Sequence, residues 1–180
     1  MVKEWKLVNT EIDRDYNVFK VRAEQALSPR TDQTGRFYTI ETRDWVNIIA
    51  LTESQEVVMI KQYRHGSKEV TLEIPGGLVD EDDPEEAALR ELMEETGFAG
   101  ESIEYLGGVN PNPAIFNNLC HTYLVERARK ISGKNLDPDE DIEVVLVPLS
   151  EIQSLLKDGL INHALVLVAF YYYFLKKGQS

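Results

Sequence analysis

Three glutamates, Glu91, Glu94 and Glu95, fall within five consecutive residues of an acidic segment that runs from Gly76 to Phe98. On a helix, Glu91 and Glu95 are four apart and share a face, and Glu94 sits beside both. Carboxylates grouped in this way repel one another and raise each other's pKa unless positive charge neutralises them. Arg90 lies four residues before Glu94 and can pair with it, but one guanidinium does not balance three carboxylates. Clustered hard oxygen donors suit Mg²⁺ or Mn²⁺. The preceding Pro75-Gly76-Gly77 reads as a turn that can bring a bare backbone carbonyl close, since glycine has no Cβ to block the approach. The alternative is a solvated acidic face with no ligand, which is what most charge runs are.

The elements that must position these groups follow from local pattern. Asp83, Pro84 and Glu86 form a D-x-x-E capping box with proline in the first turn. Ala87, Ala88, Leu89, Leu92 and Met93 supply an apolar stripe expected to face the core, and Gly97 ends the helix as a C′ glycine. Before the helix, Trp45–Leu51, Glu56–Tyr63 and Val70–Ile74 read as strands; after it, so do 103–109, 121–128 and 143–148. Two C-terminal helices are expected over 149–155 and 162–175. Short strands at Trp5–Val8, Tyr16–Val21 and Arg36–Ile40 suggest a small N-terminal β-unit over residues 1–42, followed by the main domain over 43–180. This order predicts an α+β protein: a mixed sheet with helices packed on it.

The 180 residues carry a net charge of −12, with 43% apolar and 28% charged side chains. That balance fits a globular protein with a core and argues against non-specific binding to nucleic acid or to an anionic membrane. The single cysteine, Cys120, lies among apolar residues and reads as a core side chain. The N-terminus has no apolar signal segment, and the longest apolar run, Ala164–Leu175, is too short to span a bilayer, so a reducing, cytoplasmic location is expected.

The order Gly76, Arg90-Glu91-Leu92, Glu94-Glu95, Gly97-Phe98 resembles the Nudix box, G-x5-E-x7-R-E-U-x-E-E-x-G-U, where U is a bulky apolar residue. The second half matches throughout; the early glutamate position holds Asp82, and the turn ahead of Asp83 is one residue shorter than the common form. The resemblance implies a Nudix α/β/α sandwich with a mixed β-sheet. It also implies Mg²⁺-dependent hydrolysis of a nucleoside diphosphate linked to another group. Glu91, Glu94 and Glu95, with the Gly76 carbonyl, would hold Mg²⁺ (or Mn²⁺), and Arg90 would orient the glutamates. The stretch Glu140-Asp141-Ile142-Glu143-Val144 resembles the late loop that supplies a general base in ADP-ribose-type members, which points to Glu140, with Asp139 or Glu94 as substitutes.

Further residues resemble the ADP-ribose and nucleoside diphosphate sugar pyrophosphatases. Gln62-Tyr63-Arg64 followed by Glu73-Ile74-Pro75-Gly76-Gly77-Leu78 matches their pattern, with Arg64 on the diphosphate. Pro113 lies fifteen residues after Phe98, at the subfamily's marker proline. The N-terminal unit is expected to dimerise, with a swap onto the partner, and to supply Trp5 and Phe37 as stacking aromatics for the base. The loop departs from the subfamily at Ala114 and Asn118, which replace its glycine and glutamate. That widens the expected substrates to GDP-mannose and UDP-sugars, with Asn118 as a candidate sugar contact. The expected partner is therefore a small nucleotide sugar in a homodimeric enzyme. The alternatives are a hydrolase of nucleoside triphosphates or dinucleoside polyphosphates, and a non-catalytic ADP-ribose sensor.

Overall fold

Alternation along the strand Trp45–Thr52 sets the layering of the molecule's larger unit. In the computed structural model, which describes residues 1–81, 83–136, 138 and 140–178, Val46, Ile48 and Ala50 belong to one buried cluster, and Ile49 and Leu51 to another. A period of two sends successive side chains to opposite faces, so this strand needs cover on both.

The chain divides into two units. The first comprises Met1–Arg43 and Asn110–Leu119. Its strands β1 (Lys6–Asp15), β2 (Lys20–Leu27) and β3 (Thr34–Glu41) form an antiparallel sheet in the order β1-β2-β3. All ten residues of β1 are exposed. Asn110–Leu119 joins β3 through a parallel bridge between Ile40 and Phe116, with the Ile40 N–H donating to the Ile115 carbonyl at 2.6 Å.

The second unit comprises Asp44–Val109 and Cys120–Ser180. In chain order its elements are β4 (Trp45–Thr52), β5 (Glu56–Arg64), β6 (Glu69–Glu73), β7 (Gly76–Leu78), α1 (Pro84–Thr96), β8 (Phe98–Ala99), β9 (Ser102–Val109), β10 (Cys120–Lys130), β11 (Ile142–Pro148), α2 (Leu149–Lys157) and α3 (Ala164–Lys176). The eight strands form one sheet, ordered β11-β5-β4-β10-β8, with β6 on β5, β7 on β4 and β9 on β10. Only the β4–β10 pairing is parallel among these ladders, so the sheet is mixed. Ala87, Ala88 and Leu92 of α1 cover one face with Ile48 and Val58. Ile152 of α2 and Val166 and Phe170 of α3 cover the other with Ile49 and Met59. The expected α+β architecture, helices on both faces of a mixed sheet, is what the chain adopts.

Three local expectations are corrected. The strand expected over Tyr16–Val21 starts only at Lys20: residues 16–19 form the turn between β1 and β2, closed by the Tyr16 N–H donating to the Phe19 carbonyl at 2.9 Å. Gly76-Gly77 is a strand rather than a turn: β7 pairs antiparallel with β4, Gly76 opposite Asn47 and Gly77 opposite Val46. A Cβ on Gly76 would collide with the Val46 carbonyl, and one on Gly77 with the Glu91 carboxylate, so glycine serves close approach here. Leu89 does not face the core; it is 40% exposed. It lies ~100° around the helix from the fully buried Ala88, just outside the arc that Ala88, Leu92 and Thr96 bury.

The ends of α1 form as its sequence indicates. Asp83 Oδ1 accepts from the N–H groups of Glu85 at 2.9 Å and Glu86 at 3.0 Å. Gly97 takes the left-handed conformation at φ 74° and closes the helix by donating to the Met93 carbonyl. Among the described residues no helix is long and apolar enough to cross a membrane.

Candidate active site

The helix α1 presents its three glutamates unequally. Glu95 follows Ala88 by seven positions and Leu92 by three, so it shares their buried face and is only 3% exposed. The Glu91 side chain is 13% exposed and that of Glu94 39%, in step with their increasing angle from the same arc. A carboxylate on the core face of a helix is costly unless something satisfies it.

Glu95 is satisfied only in part. Its Oε2 accepts the Gly76 N–H at 2.9 Å. Burial nevertheless pushes its carboxyl up to about 8, the Gly76 hydrogen bond opposing and repulsion from Glu91 and Glu140 adding to the shift. Glu91 is also raised, by burial first, against the pull of Arg90. Arg90 donates to Glu91 at 2.8 Å, to Glu94 at 3.1 Å and to the Leu78 carbonyl at 3.2 Å. It thus ties the glutamates to the strand before the helix. Glu140, just ahead of β11, acts electrostatically on Glu91, Glu95 and Arg64, which brings it to the same cluster.

The donor set fits a hard divalent cation by chemistry: carboxylate oxygens, partly desolvated, short of positive charge. Among the described residues no three His, Cys, Asp or Glu side chains are gathered closely enough to hold an ion together. Glu91 and Glu94 turn onto Arg90, and Glu95 onto the Gly76 N–H.

Arg64 is anchored differently. Its Nε and Nη2 each donate to the Glu73 carboxylate at 2.8 Å, a two-point clamp. Thr71 Oγ1 donates to the same carboxylate at 2.5 Å. Burial acts to raise the Glu73 carboxyl, but the Arg64 and Thr71 hydrogen bonds outweigh it and hold it below its ordinary value. The clamp in turn raises the Arg64 guanidinium.

Arg64 and Glu73 border a cavity of about 770 Å³ in the second unit. Its wall continues through Trp45 and Asn47 of β4, the β7 backbone, the His65–Ser67 turn and residues 162–165 at the start of α3. Two polar atoms on this wall, Asn47 Nδ2 and His163 Nδ1, are buried without a hydrogen-bond partner. Leaving such a group unpaired costs on the order of 1–3 kcal/mol.

Of the site residues expected from sequence, Gly76, Arg90, Glu91, Glu94, Glu95, Glu140 and Arg64 are brought together in the second unit. Asp82 and Asp139 lie outside the described residues. Trp5, Phe37, Pro113 and Asn118 belong to the first unit. There Trp5 and Phe37 pack edge to face, centroids 5.1 Å apart, both partly exposed. Pro113 sits in a turn shaped by Asn112, whose carbonyl accepts from Ile115 and Phe116. Asn118 is 2% exposed and donates to the Arg43 carbonyl at 3.0 Å. Burial pushes the Cys120 thiol up to about 12, which suits a core side chain and not a nucleophile.

Sequence reasoning missed Asn47 and His163, which border the cavity together with His65. The signal for Asn47 was there: a lone amide inside Trp45-Val46-Asn47-Ile48-Ile49-Ala50-Leu51, where every other residue is apolar.

Comparison with known proteins bears on this site. The family model for the NUDIX domain matches residues 41–170. The methanol dehydrogenase activator of Bacillus methanolicus is 29% identical over 171 residues, spanning 94% of this chain and 92% of that protein. The ADP-ribose pyrophosphatase of Bacillus subtilis is 31% identical over 134 residues, spanning 73% and 72%. A crystal structure described as an ADP compounds hydrolase superposes with a TM-score of 0.86 over 100% of this chain and 99% of the other, at 22% identity, a likeness of fold.

Proposed function

The chain belongs to the NUDIX family and is a Nudix hydrolase, and from that premise we propose that it cleaves the pyrophosphate of nucleoside diphosphate sugars. ADP-ribose leads the candidate substrates, with GDP-mannose and UDP-sugars beside it; the products are a nucleoside monophosphate and a sugar phosphate. The observation that carries this reading is the buried, charge-deficient pair Glu91 and Glu95, with Glu140 and Arg64 in electrostatic reach, beside a cavity of about 770 Å³.

The proposed roles are these. Arg64, held by Glu73, keeps Nη1 to donate to a diphosphate oxygen. Glu140 accepts the proton of the attacking water, whose oxygen joins one phosphorus while the bridging oxygen leaves with the other. Arg90 positions Glu91 and Glu94. Glu91, Glu94, Glu95 and the Gly76 carbonyl would hold Mg²⁺ or Mn²⁺, which when bound would neutralise the diphosphate and make a water more acidic. In the first unit, Trp5 and Phe37 are the proposed stacking aromatics, and Pro113 and Asn118 the loop residues that shape specificity. We assign a homodimer through residues 1–42, because β1 leaves Leu7, Val8 and Ile12 exposed along its length. A reducing cytoplasm fits the lone, buried Cys120.

The test is product analysis with Mg²⁺ on ADP-ribose, GDP-mannose, UDP-glucose, ATP and a diadenosine polyphosphate. Monophosphate plus sugar phosphate from the first three supports the reading. Cleavage of ATP or the dinucleotide alone overturns the substrate class, and ADP-ribose binding without cleavage of any compound turns the chain into a sensor. The 94% span shared with the methanol dehydrogenase activator favours a second reading, in which the chain also stimulates an alcohol dehydrogenase. Adding the pure protein to such an enzyme and finding its rate unchanged removes it.

A further inference from the structure

Glu69, Thr71 and Glu73 of β6 line the cavity as a row, because a strand sends alternate side chains to one face. Leu72, between them, packs against the core beneath α2 and α3. Two members of the row are spent: Glu73 holds Arg64 through both oxygens, and Thr71 donates to Glu73. Glu69 is not. It is exposed, and among the described residues its carboxylate makes no ion pair and accepts no hydrogen bond. Yet Glu69, and not Glu73, stands directly opposite Arg64 in the β5–β6 ladder. Opposite residues of an antiparallel pair carry their Cβ atoms ~5 Å apart on one face. The guanidinium goes to the buried Glu73, because a carboxylate left unpaired inside costs more than one left in water. An unspent carboxylate therefore remains beside Arg64 on the cavity wall.

That placement separates two kinds of ligand. A diphosphate on Arg64 brings whatever is joined to its far phosphorus close to Glu69. A carboxylate only accepts: it takes hydrogen bonds from hydroxyls and repels a further phosphate. Among the described residues that line the cavity, Arg64 is the one permanent cation, so no lysine or second arginine offsets a third phosphate. Trp45, Leu78 and Leu165 line the same space and suit the C–H face of a sugar ring.

We propose that Glu69 is a specificity-determining residue, which accepts hydrogen bonds from the hydroxyls of the substrate's neutral sugar and turns away a third phosphate. The proposal rests on the nucleotide-sugar reading and on Arg64 at the diphosphate, but its test needs no turnover. The probes are α,β-methylene ADP-ribose and α,β-methylene ATP, which resist cleavage at the methylene bridge. They share the adenosine and the bridged diphosphate, and differ in carrying a neutral sugar or a third phosphate beyond it. Calorimetric titrations with Mg²⁺ compare wild type, Glu69→Gln and Glu69→Lys. The expected result is a crossing: Glu69→Gln weakens the ADP-ribose analogue and tightens the ATP analogue, each about fivefold, the scale of one charge-assisted contact partly replaced. Glu69→Lys moves both further in the same directions, and added salt shrinks the wild-type preference. A damaged fold weakens both analogues alike and cannot produce a crossing. Changes of one sign for both analogues in both variants, no change for either, or no binding of either by wild type overturns the proposal. If wild type hydrolyses ADP-ribose and no crossing occurs, only the role of Glu69 falls. If it hydrolyses no nucleotide sugar while the crossing holds, Glu69 stands as a selector of bound ligand and the hydrolytic reading falls.

Discussion

Glu73 and Glu95 are buried to nearly the same degree, 2% and 3% exposed, and their carboxyls move in opposite directions. Glu73 has a guanidinium clamped on both oxygens and a threonine hydroxyl besides. Glu95 has one backbone N–H, the repulsion of two carboxylates and, as the weakest influence, the pull of the Arg64 charge that Glu73 already holds. Burial alone therefore does not decide what a buried acid does; the charge placed against it does. Glu73 is a finished structural contact that fixes Arg64. Glu95 is left short of positive charge, the condition of a group built to meet a cation from outside.

The comparison can be broken by substitution. Glu95→Gln should lower turnover about a thousandfold, roughly 4 kcal/mol of barrier, while the circular dichroism spectrum stays that of the wild type. Wild-type turnover in that variant would sink the role given to Glu95. Glu73→Gln should act chiefly on stability, costing about 2 kcal/mol in denaturant melts by leaving Arg64 with half a partner; the effect is tempered because Arg64 is partly exposed to solvent. A Glu73→Gln protein with unchanged stability would show that the clamp contributes nothing.

Acidity sharpens the same contrast. Glu95 has a folded pKa above its unfolded value, so its contribution to stability is present below about pH 4.5 and is lost as pH rises toward 8. Glu73 has a folded pKa below its unfolded value, so its contribution is present above about pH 4.5 and is lost as pH falls through the lowered value. In chelator, Glu95→Gln should therefore flatten the decline in melting temperature between pH 5 and 8, and Glu73→Gln should flatten the loss below pH 4.5. Identical profiles in both variants would contradict the opposite shifts. A further pair tests the helix that carries Glu95, and its second member has the smallest effect of all. Leu92→Ala, at a fully buried site, should cost about 3 kcal/mol, and Leu89→Ala well under about 1 kcal/mol in the same urea melts.

Leu89 also marks where sequence reading reached its limit. The helix ends were legible because caps act within four residues: Asp83, Pro84 and Gly97 hold the positions that their chemistry demands. Which apolar side chain faced inward depended on angle as well as type, and Leu89 sits one step outside the buried arc. The strand β7 was hidden because its partner, Trp45–Asn47, lies some thirty residues earlier, and two glycines have the local look of a turn. β1 was legible only at Lys6–Val8; its polar continuation to Asp15 is held by pairing with β2, which no local propensity announces. The metal-type cluster could be read from Arg90, Glu91, Glu94 and Glu95 because four residues on one helix face are a local pattern. Asn47 and His163 could not be joined in advance, since only the folded sheet brings β4 and α3 to one cavity.

The most direct measurement is Mn²⁺ binding, followed by the loss of the free-ion electron paramagnetic resonance signal, in wild type, Glu95→Gln and Glu73→Gln. Saturable binding by wild type and Glu73→Gln, with affinity at least about tenfold weaker in Glu95→Gln, is the predicted result. Equal binding by all three proteins, or loss in Glu73→Gln alone, would contradict the assignment of the charge-deficient glutamates as the cation site.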